Sequence, residues 1–175
     1  MQINTDLSAT EQAAQKLANV LLTHQMLLAC AESCTGGLIG AAVTSISGSS
    51  QWFERGYITY SNAAKEQDLH VHTETLEQFG AVSEETAMAM ATGVLSRCPG
   101  AHIAISTTGI AGPTGDTPGK PIGMVCFGFA RRQGDGIVAH AHTEVFSGGR
   151  QEVREAATLY ALEQAAELIT ANAPH

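Results

Sequence analysis

The sequence predicts a three-layer α/β/α sandwich with a mixed β-sheet, built as a single domain over residues 1–175. Short apolar runs of strand length alternate with stretches of helical spacing. Two β-rich runs near the end are joined by the glycine-containing segment RRQGDG, which favours an antiparallel hairpin. Hydrophobic residues make up 44% of the 175 residues, which is enough for one domain with its own core.

The helices are predicted from apolar residues at helical spacing and from start signals. Ser8 or Thr10 is a plausible cap for the first helix, and Ser61 and Ser83 begin two later ones. The last helix follows a pair of glycines. The predicted helices span residues 7–23, 36–45, 62–69, 83–97 and 151–170.

The strands are predicted from short runs of β-forming residues. The run over residues 26–31 is apolar throughout, as in a strand buried on both faces. A long loop rich in glycine and proline, TGIAGPTGDTPGKP, follows the third strand, and loops of this length are often functional. The predicted strands span residues 26–31, 56–60, 102–107, 122–130 and 137–146.

Composition excludes several classes of function. A net charge of −8 with only nine Lys and Arg argues against binding nucleic acid. No apolar run reaches the ~18 residues of a membrane span, and no secretory signal is visible, so we expect a cytoplasmic protein. The four cysteines include no C-x-x-C pair, so neither a zinc site nor a disulfide framework is expected.

The segment LACAESCTGGLIG, residues 28–40, places polar groups between a buried strand and a helix. Ser33 is a candidate nucleophile there, because backbone N–H groups at a helix start suit a developing oxyanion. Its neighbours Glu32, Thr35, Gly36 and Gly37 are candidate substrate-binding residues. The alternative is a capped turn without catalytic function.

A serine nucleophile needs a base, and no histidine lies in a signature that pairs it with Ser33. The motifs G-x-S-x-G and S-x-x-K are also absent around it. Lys65 in YSNAAK, just past a predicted strand, is the remaining candidate, because burial and the positive end of a helix both lower an amine's pKa. The alternatives are a solvated surface lysine and, for the nucleophile, Ser61 four residues before Lys65.

Two pairs of histidines and one pair of arginines are further candidates for binding a ligand. The pairs His70/His72 and His140/His142 each place two imidazoles on one face of an extended segment. Without a recognisable third ligand we expect no metal and interpret them as exposed residues. Arg150 and Arg154 lie at the start of the last helix, where positive charges oppose the helix dipole. Either a bound anion or pairing with neighbouring glutamates would explain them.

The motifs AESCTGG, WFERGYITYSNAAK, GAVSEETA, TTGIAGP and FSGGRQEVREAA, in this order and spacing, resemble the CinA C-terminal domain family. The resemblance covers about residues 8 to 170 and is closest to its stand-alone nicotinamide mononucleotide deamidases. It implies an amidohydrolase that forms nicotinate mononucleotide and ammonia with a serine and a lysine, without metal or cofactor. It also implies a homodimer or a higher oligomer.

The resemblance assigns roles residue by residue. It implies Ser33 as nucleophile, Lys65 as base and Tyr60 as a further catalytic residue that orients Lys65. Thr108, Gly109 and Arg150 fall on its substrate-binding positions. Asp116 departs from a double glycine that the family often has, and it adds negative charge near the expected anion site. The alternatives are a pyridine-nucleotide-binding protein without activity and an amidase for another carboxamide.

Overall fold

A computed structural model of the chain describes residues 7–171, and the predicted three-layer α/β/α sandwich is confirmed. The helices are α1 (Ala9–Thr23), α2 (Leu38–Thr44), α3 (Asn62–Leu69), α4 (Thr73–Phe79), α5 (Glu84–Arg97) and α6 (Arg150–Ala171). The strands are β1 (Leu28–Glu32), β2 (Phe53–Ile58), β3 (Ile103–Gly109), β4 (Met124–Gln133) and β5 (Gly136–Val145). None of the helices within residues 7–171 has the length and apolar character needed to cross a membrane.

The five strands form one mixed sheet in the order β2-β1-β3-β4-β5. β1 pairs in parallel with β2 and β3, whereas β3, β4 and β5 pair antiparallel, as the hairpin prediction required. Glu32 at the end of β1 is in register with Ile58 on one side and Thr107 on the other. The carboxyl ends of the three parallel strands therefore meet at one edge of the sheet, where open α/β sheets bind ligands.

Helices cover both faces of the sheet. α1, α2 and α6 pack on one face over a core that includes Leu17, Phe127 and Leu162. α3, α4 and α5 pack on the other face, where the strands present alanines such as Ala31 to larger helix residues. Residues therefore alternate between two cores along β1, because successive side chains of a strand point to opposite faces.

The predicted caps are confirmed at three helices. Ser8 and Glu11 form a capping box on α1, and Ser61 and Ser83 accept hydrogen bonds from the first turns of α3 and α5. The sequence prediction missed α4 and the short 3₁₀ helix Ser49–Gln51, and it began β2 three residues late. α4 has no side-chain cap, so it lacks the local signal that marked α1, α3 and α5.

Candidate active site

Ser33 and Lys65 meet at the carboxyl edge of the sheet. Lys65 Nζ lies 3.1 Å from Ser33 Oγ, and both side chains are buried. Ser33 is the first residue after β1, while Lys65 is the fourth residue of α3, which follows the neighbouring strand β2. The contact therefore depends on the parallel pairing of β1 with β2, and it joins the two residues that sequence reasoning proposed as nucleophile and base.

Lys65 is held by backbone carbonyls. Its Nζ donates to the carbonyl oxygens of Thr59 and Tyr60, each at 3.0 Å. Within residues 7–171 it forms no ion pair, since the two ion pairs found there join Arg55 to Glu54 and His142 to Glu144. Burial without a counter-ion disfavours the ammonium, and desolvation lowers the pKa of Lys65 from its ordinary value of 10.5.

The turn that carries Ser33 is fixed by buried polar groups. The Glu32 carboxylate accepts from the Thr35 hydroxyl at 2.7 Å and from the backbone N–H groups of Ile39 and Gly40 at 2.8 and 3.1 Å. Ser33 N–H donates to the carbonyl of Thr107 at 3.0 Å. Both oxygens of Glu32 are thus engaged at the start of α2, which favours a structural role over the predicted substrate contact.

Thr35 is likewise engaged within the protein. Its hydroxyl gives its one proton to Glu32, so the 2.8 Å contact between the hydroxyl oxygens of Thr35 and Thr107 has Thr107 as donor. Both threonines are fully buried. The side chain of Thr35 therefore braces the turn, and only its backbone is a candidate for ligand contact.

The double glycine is required by the shape of this turn. Gly36 and Gly37 have φ values of +58° and +104°, a region that favours glycine. A Cβ at Gly36 would lie 3.2 Å from Arg154 Nη2, and one at Gly37 would lie 3.3 Å from Ile58 Cδ1. These two residues let the chain turn sharply from β1 into α2.

The oxyanion donors remain a prediction at the expected residues, Thr35 to Gly37, which precede α2 in the structure. N–H groups in the first turn of α2 bind Glu32, so the helix start does not supply them. The backbone N–H groups of Thr35 and Gly37, in the turn before α2, donate to no residue in the described part of the chain. These two groups are the candidates for stabilising a negative oxygen beside Ser33.

Tyr60 contacts Lys65 through its backbone carbonyl, so the predicted orienting role, if Tyr60 has it, belongs to its main chain and not to its phenol. The phenol is exposed, and its oxygen accepts from Arg150 Nη2 at 3.2 Å. Arg150 Nη1 donates to the carbonyl of Gly112 in the glycine-rich loop at 2.8 Å. The exposed Arg150 therefore links that loop to the mouth of the site, while Asp116 lies exposed in the same loop.

Thr108 and Gly109 lie at the end of β3, which runs two residues further than predicted. The buried Thr108 hydroxyl donates to the carbonyl of Ala81 at 2.7 Å. A Cβ at Gly109 would lie 2.7 Å from the carbonyl oxygen of Met124, so glycine is needed for the close approach of β3 and β4. These contacts favour structural roles over the substrate contacts that the resemblance implies.

Ser61, the rival nucleophile, and Cys34, which follows Ser33 in the chain, both have other roles. The Ser61 hydroxyl accepts from the N–H of Ala64 at 3.0 Å and caps α3. Cys34 is buried in the core beneath α2, and burial raises the pKa of its thiol to about 12. A thiol with so high a pKa is almost entirely protonated at neutral pH and is a poor nucleophile.

The histidine pairs lie apart from Ser33. His70 contacts Arg97, and His72 precedes α4 as its N-terminal cap residue. On β5, His140 stacks on Phe129 and His142 stacks on Tyr160. In the described part of the chain, no three metal-ligating side chains cluster in a way that would hold an ion.

Thr59 is a site residue that sequence reasoning did not assign, and Arg154, for which a bound anion or a glutamate partner was the expectation, binds backbone carbonyls instead. Arg154 on α6 donates to the carbonyls of Cys34 and Thr35, at 3.1 and 3.2 Å. Thr59 supplies a carbonyl to Lys65. Backbone carbonyls occur in every residue and leave no sequence signal, although the spacing of Arg154 to Arg150 had marked it as a cation that needs a partner.

Comparisons with known proteins place this chain in a family. The CinA C-terminal domain profile matches residues 10–169. The chain is 53% identical over 136 residues to nicotinamide-nucleotide amidohydrolase PncC of Enterobacter agglomerans, covering 78% of this chain and 80% of that protein. It is 47% identical over 152 residues to the protein of the same name from Escherichia coli K12, covering 87% and 90%.

A solved structure shows the same fold. The crystal structure of competence/damage inducible protein CihA from Agrobacterium tumefaciens superposes with a TM-score of 0.84 at 40% identity, covering 99% of this chain and all of that one. The sequence match and the shared fold agree over nearly the whole length. This chain belongs to the CinA C-terminal domain family.

Proposed function

We propose that this protein is an amidohydrolase that converts nicotinamide mononucleotide to nicotinate mononucleotide and ammonia, with Ser33 as nucleophile and Lys65 as base. The observation that carries the mechanism is the buried lysine amine 3.1 Å from the serine hydroxyl. Similarity to enzymes named nicotinamide-nucleotide amidohydrolase supports the reaction and the substrate.

The contacts of Lys65 suit a neutral amine. When the amine is neutral, its two N–H groups can donate to the carbonyls of Thr59 and Tyr60, and the nitrogen lone pair can then accept the Ser33 hydroxyl, which lies 3.1 Å away. The lowered pKa of Lys65 raises the fraction of molecules in this state near neutral pH. An activated serine of this kind needs no histidine and no metal.

The reaction then proceeds in two halves. Ser33 Oγ attacks the carboxamide carbon as its proton moves to Lys65, and the N–H groups of Thr35 and Gly37 stabilise the oxyanion. The tetrahedral intermediate collapses, the C–N bond breaks and Lys65 gives its proton to the departing ammonia. Lys65 then takes a proton from water as its oxygen attacks the acyl-enzyme, and returns that proton to Ser33 Oγ as the ester bond breaks and nicotinate mononucleotide leaves.

Arg150 is the candidate ligand for the substrate phosphate. It is exposed beside the mouth of the site, and a guanidinium suits bidentate binding of phosphate oxygens. The single-domain organisation, the homo-oligomer, the cytoplasmic location and the absence of metal and cofactor stay predictions.

The test is incubation with nicotinamide mononucleotide, with ammonia and nicotinate mononucleotide measured together. We expect equal amounts of both products, undiminished by a chelator. Free nicotinamide and an aliphatic carboxamide, tested in parallel, identify an amidase of other specificity if either is hydrolysed faster. Binding of the nucleotide without product would show a binding protein and refute the proposed activity.

A further inference from the structure

Arg154 holds the two peptide groups that follow the nucleophile. Its Nε and Nη2 donate to the carbonyl oxygens of Cys34 and Thr35, at 3.1 and 3.2 Å, across more than a hundred residues of sequence. The side chain is half-buried and forms no ion pair with residues 7–171. A planar guanidinium can donate to two neighbouring carbonyls in a fixed geometry, which a lysine ammonium does not reproduce.

These contacts fix the orientation of the Cys34–Thr35 peptide. A trans peptide places its C=O and N–H on opposite sides, and the only cis bond between residues 7 and 171 is Gly112–Pro113. With the Cys34 carbonyl held by Arg154, the N–H of Thr35 must point away from Arg154. That N–H has no protein partner in the described residues, so it is held in a fixed direction and left free for a ligand.

The neighbouring peptide is held in the same way. The Thr35 carbonyl also binds Arg154, while the N–H of Gly36 donates to the Ser33 carbonyl at 3.1 Å. Gly36 has a φ of +58° and would bring a Cβ within 3.2 Å of Arg154 Nη2, so the guanidinium packs directly on this turn. Without it, rotation of the Cys34–Thr35 peptide would replace the Thr35 N–H, an oxyanion donor, with the carbonyl oxygen of Cys34.

We propose that Arg154 is a positioning residue, which holds the turn after Ser33 so that the Thr35 N–H can stabilise the oxyanion. The inference rests on the proposed acyl-transfer chemistry at Ser33. It assigns different roles to the two arginines of α6. Arg150 is exposed and meets the substrate, whereas Arg154 has its donors on the protein backbone and acts through the turn.

Arg154→Lys and Arg154→Gln test this role in steady-state kinetics. Loss of one oxyanion donor costs roughly 10²–10³-fold in kcat, so we expect each variant to lose about 10- to 100-fold in kcat with KM within about threefold of wild type. The pH at which the rate is half-maximal should stay unchanged, because Lys65 is untouched. A raised KM with an unchanged kcat would instead make Arg154 a substrate ligand and overturn the proposal.

Arg132→Lys is the matched control. Arg132 also donates to backbone carbonyls, those of Leu95, Cys98 and Ala101, but at the opposite end of the sheet. We expect it to lower the melting temperature as much as Arg154→Lys while kcat stays within about threefold of wild type. If both variants lose kcat equally, the effect of Arg154 is general destabilisation and the proposal fails.

A second measurement does not depend on the substrate. A fluorophosphonate forms a Ser33 Oγ–P bond with loss of fluoride, and its phosphoryl oxygen uses the same donors as an amide oxyanion. Labelling of the peptide that contains Ser33, followed by mass spectrometry, should be about 10-fold slower or more in Arg154→Lys. Equal labelling rates would overturn the inference. If Arg154→Lys labels more slowly but the wild-type protein does not hydrolyse nicotinamide mononucleotide, the inference about Arg154 stands and only the proposed substrate is refuted.

Discussion

Replacing Lys65 by arginine tests whether Lys65 acts as a general base or only as a positive charge. Lys65 is 1% exposed, and its amine contacts three oxygens at 3.0–3.1 Å. A guanidinium stays protonated in proteins and cannot accept the Ser33 proton. General-base catalysis contributes roughly 10²–10⁴-fold, so we expect Lys65→Arg and Lys65→Met to lose that factor in kcat.

The assay is ammonia release from nicotinamide mononucleotide across a range of pH. The wild-type rate should rise with pH through an apparent pKa below 10.5, because the neutral amine is the active form and burial lowers the pKa of Lys65. Lys16→Arg, on the exposed surface of α1, is the control and should leave the rate and its pH dependence unchanged. If Lys65→Arg kept more than about a tenth of the wild-type rate, Lys65 would act as a charge and the base would lie elsewhere.

Three further outcomes are expected. Cys34→Ala should keep kcat within about threefold of wild type. It should lower the free energy of unfolding by about 1–2 kcal/mol, because it leaves a small cavity in the core. Loss of activity in a folded Cys34→Ala protein would contradict Ser33 as the nucleophile. Thr59→Val should raise the free energy of unfolding by about 1 kcal/mol, because the buried Thr59 Oγ1 lacks a hydrogen-bond partner within residues 7–171. If chemical denaturation shows instead that the free energy of unfolding falls by more than ~1 kcal/mol, the hydroxyl is needed for stability. Between the lowered pKa of Lys65 and 10.5 the unfolded chain binds more protons than the native one, so stability should rise with pH there, and Lys65→Met should show a flatter profile.

Much of the fold was predictable because its signals are local. Ser61 and Ser83 mark helix starts through hydrogen bonds to the next turn, and both helices begin at the predicted place. The hairpin between β4 and β5 follows from the glycines in a short connection. α4 was missed because it is one short helix, without a side-chain cap, whose buried Leu76 packs on a core that the sequence does not display locally.

The site was only partly predictable. Ser33 and Lys65 were found because their residue types and places at strand ends restrict the chemistry. The role of Glu32 was missed because its carboxylate binds N–H groups seven and eight residues ahead, after the chain has turned. The contact of Tyr60 with Lys65 uses a backbone carbonyl, a group that every residue has, so the sequence could not show which atom of Tyr60 is involved.

The most direct test of the central proposal is the deamidation rate of Ser33→Ala. Wild-type protein should convert nicotinamide mononucleotide to nicotinate mononucleotide and ammonia in equal amounts. Ser33→Ala should reduce that rate by at least about 10³-fold while it retains the wild-type melting temperature within a few degrees and still binds the nucleotide. A folded Ser33→Ala protein that turns over at more than about a tenth of the wild-type rate would contradict the assignment of Ser33 as the nucleophile.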